Sequence, residues 1–90
     1  PFRNTFVPST IKKKANKNFQ LEIDEQVKKI LENPEIGELK KGDLKDVRVH
    51  KFTFKTQHYL LSYEIIGDIL NLYIVGTHEN FYDRLKNLLY

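Results

Sequence analysis

The chain has 90 residues, no cysteine and a net charge of +3 at neutral pH. A length of this order builds one domain around a modest core, and the missing cysteines exclude disulfide staples, thiolate metal sites and thiol nucleophiles. No apolar run nears the roughly 20 residues of a membrane helix, and Pro1-Phe2-Arg3-Asn4 lacks a leader-like pattern, so a cytoplasmic protein is expected.

The charge is uneven along the chain. Arg3, Lys12, Lys13, Lys14 and Lys17 stand in a first segment without a single acid, while acids outnumber bases after it. A basic face suits a polyanion such as RNA. A solvated lysine face accounts for a modest excess equally well.

Phe2 to Val7 alternates weakly and reads as a short strand. Pro8-Ser9-Thr10 then opens a helix in which Ile11, Ala15 and Phe19 share one side. A second helix carries the stripe Ile23, Val27, Ile30 and Leu31, with Glu22, Asp24 and Glu25 in its first turn. Asn33-Pro34 stops it, because the residue before proline avoids helical angles. With almost no linker between them, the two helices read as an αα-hairpin.

Residues 34–46 form a polar connection containing Gly37, Gly42 and Asp43. Val47 to Lys55 alternates as a strand, with Val47, Val49, Lys51 and Thr53 on one face and Arg48, His50, Phe52 and Phe54 on the other. Thr56-Gln57 turns the chain into a strand from His58 to Ile66, and Gly67-Asp68 makes a two-residue hairpin. From Ile69 to Gly76 only Asn71 is polar, which suggests a strand covered on both faces. A last helix, Asn80 to Leu89, carries Phe81, Leu85, Leu88 and Leu89 on one face, with Asn80 or Thr77 as its cap. The expected fold is α+β: a short N-terminal strand, an αα-hairpin, a three-strand antiparallel meander and a C-terminal helix. The helix pair should cover one sheet face and leave the other for binding.

No phosphate-binding glycine loop, His-Glu-x-x-His spacing or Gly-x-Ser-x-Gly elbow is present. The three histidines, His50, His58 and His78, lie on separate elements, so no metal site and no cofactor are expected. What remains is a set of nitrogen bases and phenols: Arg48, His50, Lys51, His78, Tyr82, Arg84 and Lys86. Cutting RNA without a metal needs a base for the ribose 2′-hydroxyl, an acid for the leaving 5′-oxygen and cations for the phosphorane. Histidine is the residue type best suited to such proton transfer near neutral pH. For each of these residues an ordinary structural role competes. Arg48 and Lys51 can be plain exposed strand residues, Tyr82 a half-buried helix residue, and His78 a capping group. His58, near a hairpin tip, reads as a solvated residue.

Several stretches resemble the RelE/ParE superfamily of bacterial toxins from type II toxin–antitoxin pairs. They are Asn33-Pro34-Glu35-Ile36-Gly37, then Lys41-Gly42-Asp43-Leu44-Lys45, then Tyr59-Leu60-Leu61-Ser62-Tyr63-Glu64, and finally the ending from Gly76-Thr77-His78 through Phe81-Tyr82 to Lys86. The resemblance covers nearly the whole chain, and the element order is the family's. It implies a growth-inhibiting toxin restrained by a cognate antitoxin. Some members cleave mRNA in the ribosome without a metal, and others poison DNA gyrase by binding alone.

Carried over by position, Lys51 matches a basic residue of the nuclease members, His78 the Arg or His after the last strand, and Tyr82 a C-terminal aromatic position. These three are the implied catalytic set. From the charge pattern and the set of nitrogen bases, Arg48, His50, Arg84, Lys86, Lys13, Lys14 and Lys17 are the expected RNA contacts, and Leu85, Leu88 and Leu89 can pack on the sheet or meet the antitoxin. Two departures stand out. Leu60 occupies a place where nucleases of the family carry arginine, and Asp46 replaces the connection's second glycine. A toxin that has lost its activity but keeps the fold is a third reading.

Overall fold

The computed structural model describes residues 4–6, 16–40, 42–44 and 46–89. Strand β1 is Asn4–Phe6, helix α1 is Lys17–Glu32 and β2 is Glu38–Leu39. After a single 3-10 turn at Gly42–Leu44 come β3 (Arg48–Phe54), β4 (Gln57–Ile66), β5 (Ile69–Gly76) and helix α2 (Phe81–Leu89). The strands form one sheet in the order β1-β5-β4-β3-β2. The meander of β3, β4 and β5 is antiparallel, as its turns require. It is extended by short β2 on one edge and by β1, running parallel to β5, on the other.

The αα-hairpin is not seen. Its first half falls mostly on residues 7–15, outside the described residues. The rest of it, Phe19, lies on the same helix as Ile23. Asn16 starts that helix, its side-chain oxygen accepting from the Phe19 amide at 2.9 Å. No breaker separates Phe19 from Ile23, and the four-residue spacing puts both on one face. Glu22, Asp24 and Glu25 consequently lie past the first turn, which holds no acid. The helix ends where Pro34 demands it, with the Asn33 amide still bonded to Lys29 O at 3.0 Å.

The two sheet faces each carry a core. On one, α1 sets Phe19, Ile23 and Ile30 against Phe52, Leu61, Tyr63, Leu70 and Leu72. Phe19 meets the rings of Phe54 and Tyr59 at 5.2 and 4.8 Å between centroids. On the other, α2 sets Phe81 and Leu85 against Val49, Leu60 and Ile74. The expected grouping of helices on one face is therefore corrected: α2 covers part of the face left for binding. This explains the apolar density of β5, which is clad on both sides.

A bulge in β5 adjusts this packing. Leu61 pairs with Val75 and Tyr63 with Leu72, so three steps on β5 oppose two on β4. The extra residue lets Tyr73 and Ile74 both join the α2 side. Buried Ser62 holds the bulge, its hydroxyl donating to Ile74 O at 3.2 Å and accepting from Ile74 N at 3.0 Å. The β3–β4 turn sits at Lys55-Thr56, one residue earlier than expected, with φ of 48° and 67°.

Candidate functional site

The α2 face of the sheet is open beyond the end of that helix. Alternation along β3 puts Lys51 and Thr53 there, and the pairing Lys51↔Leu60, Thr53↔His58 brings Leu60 and His58 to the same side. Leu60 also pairs with Gly76. His78 follows two residues beyond that pair, past the end of the strand. Lys51, His58, Tyr59, Leu60 and His78 line one shallow concavity of about 330 Å³. Leu60 is its buried floor, while Lys51, His58 and His78 are exposed to solvent.

Around this floor each polar group is held differently. Nδ1 of His58 shares a hydrogen bond with Thr53 Oγ1 at 3.1 Å. His78 follows the strand end at Gly76 and meets the Tyr82 ring edge-on, at 5.9 Å between centroids. Asn80, between them, has φ of 58°, a left-handed angle that asparagine tolerates and that breaks the strand into the helix. Neither Asn80 nor Thr77 shows a side-chain cap.

Arg84 reaches back over the strand end. Its Nη1 stands 2.8 Å from where a Cβ on Gly76 would sit, so the missing side chain gives the guanidinium its room. Tyr82 is half-buried and adjoins the concavity through His78. The Lys40 ammonium stands 5.1 Å above its ring and 2.8 Å from Glu38. The hydrogen bond to Lys40 pulls the Glu38 carboxyl below its usual range, with the charges of Lys40 and Lys51 adding to it against weak desolvation. The same bond raises Lys40, and Tyr82 adds to that rise.

Two of the expected RNA contacts lie elsewhere. His50 points to the opposite face and is buried beneath α1. Its Nε2 is 2.7 Å from Gln26 Oε1, and Gln26 Nε2 donates to Glu22 at 2.6 Å. Because the Gln26 amide nitrogen is turned to Glu22, its oxygen must accept, and His50 is the donor. Burial pushes the imidazole below the usual histidine range, and the charge of Lys29 adds to this.

Arg48 sits at the far end of β3, where its Nη1 donates to Gly37 O at 2.8 Å. A groove of about 510 Å³ there is lined by Arg48, Asp46, Glu64 and Leu39. Its arginine serves backbone carbonyls of the residue 33–37 turn, and it lies away from the Lys51–His78 cluster. Lys86 is exposed on α2 and Lys17 on the first turn of α1. Lys13 and Lys14 lie outside the described residues.

His58, read from the sequence as a solvated residue, is exposed and lines the same concavity as Lys51 and His78. Its signal was its pairing distance from Lys51, which needs the strand register rather than the strand pattern. Among the described residues no three His, Asp or Glu side chains gather in a way that could hold a metal ion. No helix of the described residues is long and apolar enough to cross a membrane.

A family model described as the ParE-like toxin of type II bacterial toxin-antitoxin systems matches residues 4–86. The chain belongs to that ParE-like toxin family. Neither the curated proteins nor the solved structures give a match. As a toxin of this type it has a cognate antitoxin for a partner. On the toxin's α2, Leu85 is fully buried and Leu89 partly so, both packed on the sheet, whereas Leu88 is 56% exposed. The three leucines thus divide, with Leu88 the one offered to solvent.

Proposed function

We propose that this toxin cleaves messenger RNA on the translating ribosome, without a metal. The observation that carries the reading is the gathering of Lys51 and His78 on one concave surface, with Arg84 beside it. In this account the 2′-oxygen attacks the adjacent phosphorus as its proton passes to a base. The bond to the 5′-oxygen breaks as that oxygen receives a proton from an acid. The products are a 2′,3′-cyclic phosphate and a 5′-hydroxyl end. His78 transfers one proton, Lys51 neutralises a non-bridging oxygen, Tyr82 orients His78, and Arg84 holds a neighbouring phosphate. The cytoplasm is where such a substrate is found.

A second reading has one specific support. Leu60 occupies the centre of the concavity where nucleases of the wider superfamily carry arginine, so a guanidinium is missing from the phosphate site. A toxin acting on DNA gyrase by binding alone needs no such group. Purified protein added to a translation reaction with a defined message separates the two. The nuclease reading expects a message truncated within the coding region. An intact message, together with loss of supercoiling by gyrase in a parallel reaction, supports the binding reading.

A further inference from the structure

The floor of the concavity is an array on neighbouring strands. One row is Lys51, Leu60 and Gly76, the next is Thr53 and His58, and His78 follows just beyond the end of β5. Both imidazoles border the same concavity, and Lys51 stands diagonal to His58, with Cβ atoms roughly 7 Å apart for such a pair. All three open on one space.

We infer that His58 is the second proton-transfer group of this site, acting with His78 on opposite sides of the scissile phosphate while Lys51 stands over its non-bridging oxygens. The inference rests on the nuclease reading and completes it. Cleavage by 2′-oxygen attack moves two protons, one off the 2′-oxygen and one onto the departing 5′-oxygen, so one imidazole alone leaves the step without a partner. One ring begins neutral and ends protonated, the other begins protonated and ends neutral, and the pair carries the same total of protons before and after. Thr53 contributes by position. Its bond engages Nδ1 of His58 and leaves Nε2 as the ring nitrogen for proton transfer. Tyr82 meets the His78 ring edge-on. Lys51 and His58 are placed by the backbone register of β3 and β4.

The test uses the full-length chain with programmed ribosomes and two synthetic messages. One has the ordinary phosphodiester at the cleavage site. The other has sulfur in place of the 5′-bridging oxygen, a leaving group that departs without a proton. On the ordinary message, His58→Asn and His78→Asn should each cut about 10²- to 10⁴-fold more slowly than the wild type, and each should lose a different limb of the pH–rate profile. On the sulfur message, the variant lacking the acid should recover to near the wild-type rate and the other should not.

A His58→Asn rate within about three-fold of wild type would overturn the inference while leaving the nuclease reading intact. So would a shared response in which the sulfur message rescues both variants or neither. A wild-type protein that leaves the ordinary message whole removes the nuclease reading and this inference with it. Because His58 is exposed beside a hairpin turn, the variant is expected to fold. Unchanged thermal melting of His58→Asn ties any lost activity to chemistry rather than to unfolding.

Discussion

The ring of Tyr63 occupies the space that a side chain on Gly37 would need. A Cβ there would stand 2.8 Å from both Cε1 and the hydroxyl oxygen of Tyr63. The same hydroxyl donates to Pro34 O at 2.6 Å and accepts from the Gly37 amide at 3.0 Å. Burial raises this phenol's pKa even though the Gly37 bond and Arg48 pull the other way. Tyr63 is fully buried and cannot swing aside. Gly37→Ala is therefore expected to destabilise the fold by about 1–3 kcal/mol through overpacking. Tyr63→Phe should cost a similar amount, about 1–3 kcal/mol, because it strands a buried amide and carbonyl. Urea unfolding followed by circular dichroism measures both.

The buried His50 makes stability depend on pH. Its folded-state pKa lies below the unfolded value of about 6.5. Above that value both states hold the ring neutral and its contribution is fully present. As the pH falls through about 6.5, the unfolded chain takes up a proton that the folded chain refuses, so stability falls until the folded pKa is passed. The groups near the ring are Gln26, Glu22 and Lys29 on α1 and Phe52 on its own strand. His50→Leu should be less stable than wild type at pH 8, having stranded Gln26, yet lose less on moving to pH 5. Denaturant titrations at four pH values give the slope for each protein.

Much of this was legible in the sequence, for reasons that can be named. The β3 alternation placed Lys51 and His50 on opposite faces, because a period of two leaves no other choice. Gly67-Asp68 gave the hairpin, and Asn33-Pro34 the helix end. What escaped depends on contacts between distant segments. The Ser62-bonded bulge that brings Tyr73 and Ile74 together has no local pattern. Whether α2 joins α1 or takes the other face depends on chain direction after Gly76, where Asn80 has a left-handed φ of 58° just before the helix. The backbone carbonyls that Arg48 serves are 11 and 13 residues away, so strand alternation alone could not find them. The resemblance identified the toxin family, but the placement of His58 beside Lys51 needed coordinates.

The β3–β4 turn carries removable strain. Lys55 and Thr56 both have positive φ, and a β-branched residue in that region is held against its preference. Replacing the pair with Asn-Gly, which suits a two-residue hairpin, should stabilise the protein by about 1 kcal/mol. For a domain of this size that corresponds to a rise in Tm of about 4–8 °C, readable by calorimetry.

The leucines of α2 separate folding from partner binding. Leu85→Ala removes a fully buried side chain and should cost about 2–5 kcal/mol. Leu88→Ala touches little of the core and should change stability by no more than about 0.5 kcal/mol. If the antitoxin seats on this helix, Leu88→Ala weakens the pair while leaving the toxin folded. Calorimetric titration of the two purified proteins measures this, and unchanged affinity places the antitoxin elsewhere.

Arg84 tests the electrostatic part of the site. If it holds a phosphate, Arg84→Ala should weaken RNA binding and lower the salt dependence by about one phosphate contact. Gly76→Ala should crowd the guanidinium through its flexible end, leaving stability nearly unchanged while reducing RNA binding. Filter binding of a short single-stranded RNA at several salt concentrations reads both effects.

The most direct measurement sequences RNA ends from cells that produce the protein without its antitoxin, capturing 5′-hydroxyl termini, for the wild type, Lys51→Ala and His78→Ala. The account expects abundant new 5′-hydroxyl ends inside coding regions with the wild type and about a hundred-fold fewer with either variant. Halted growth with unbroken messages and broken DNA in the wild-type culture would contradict it.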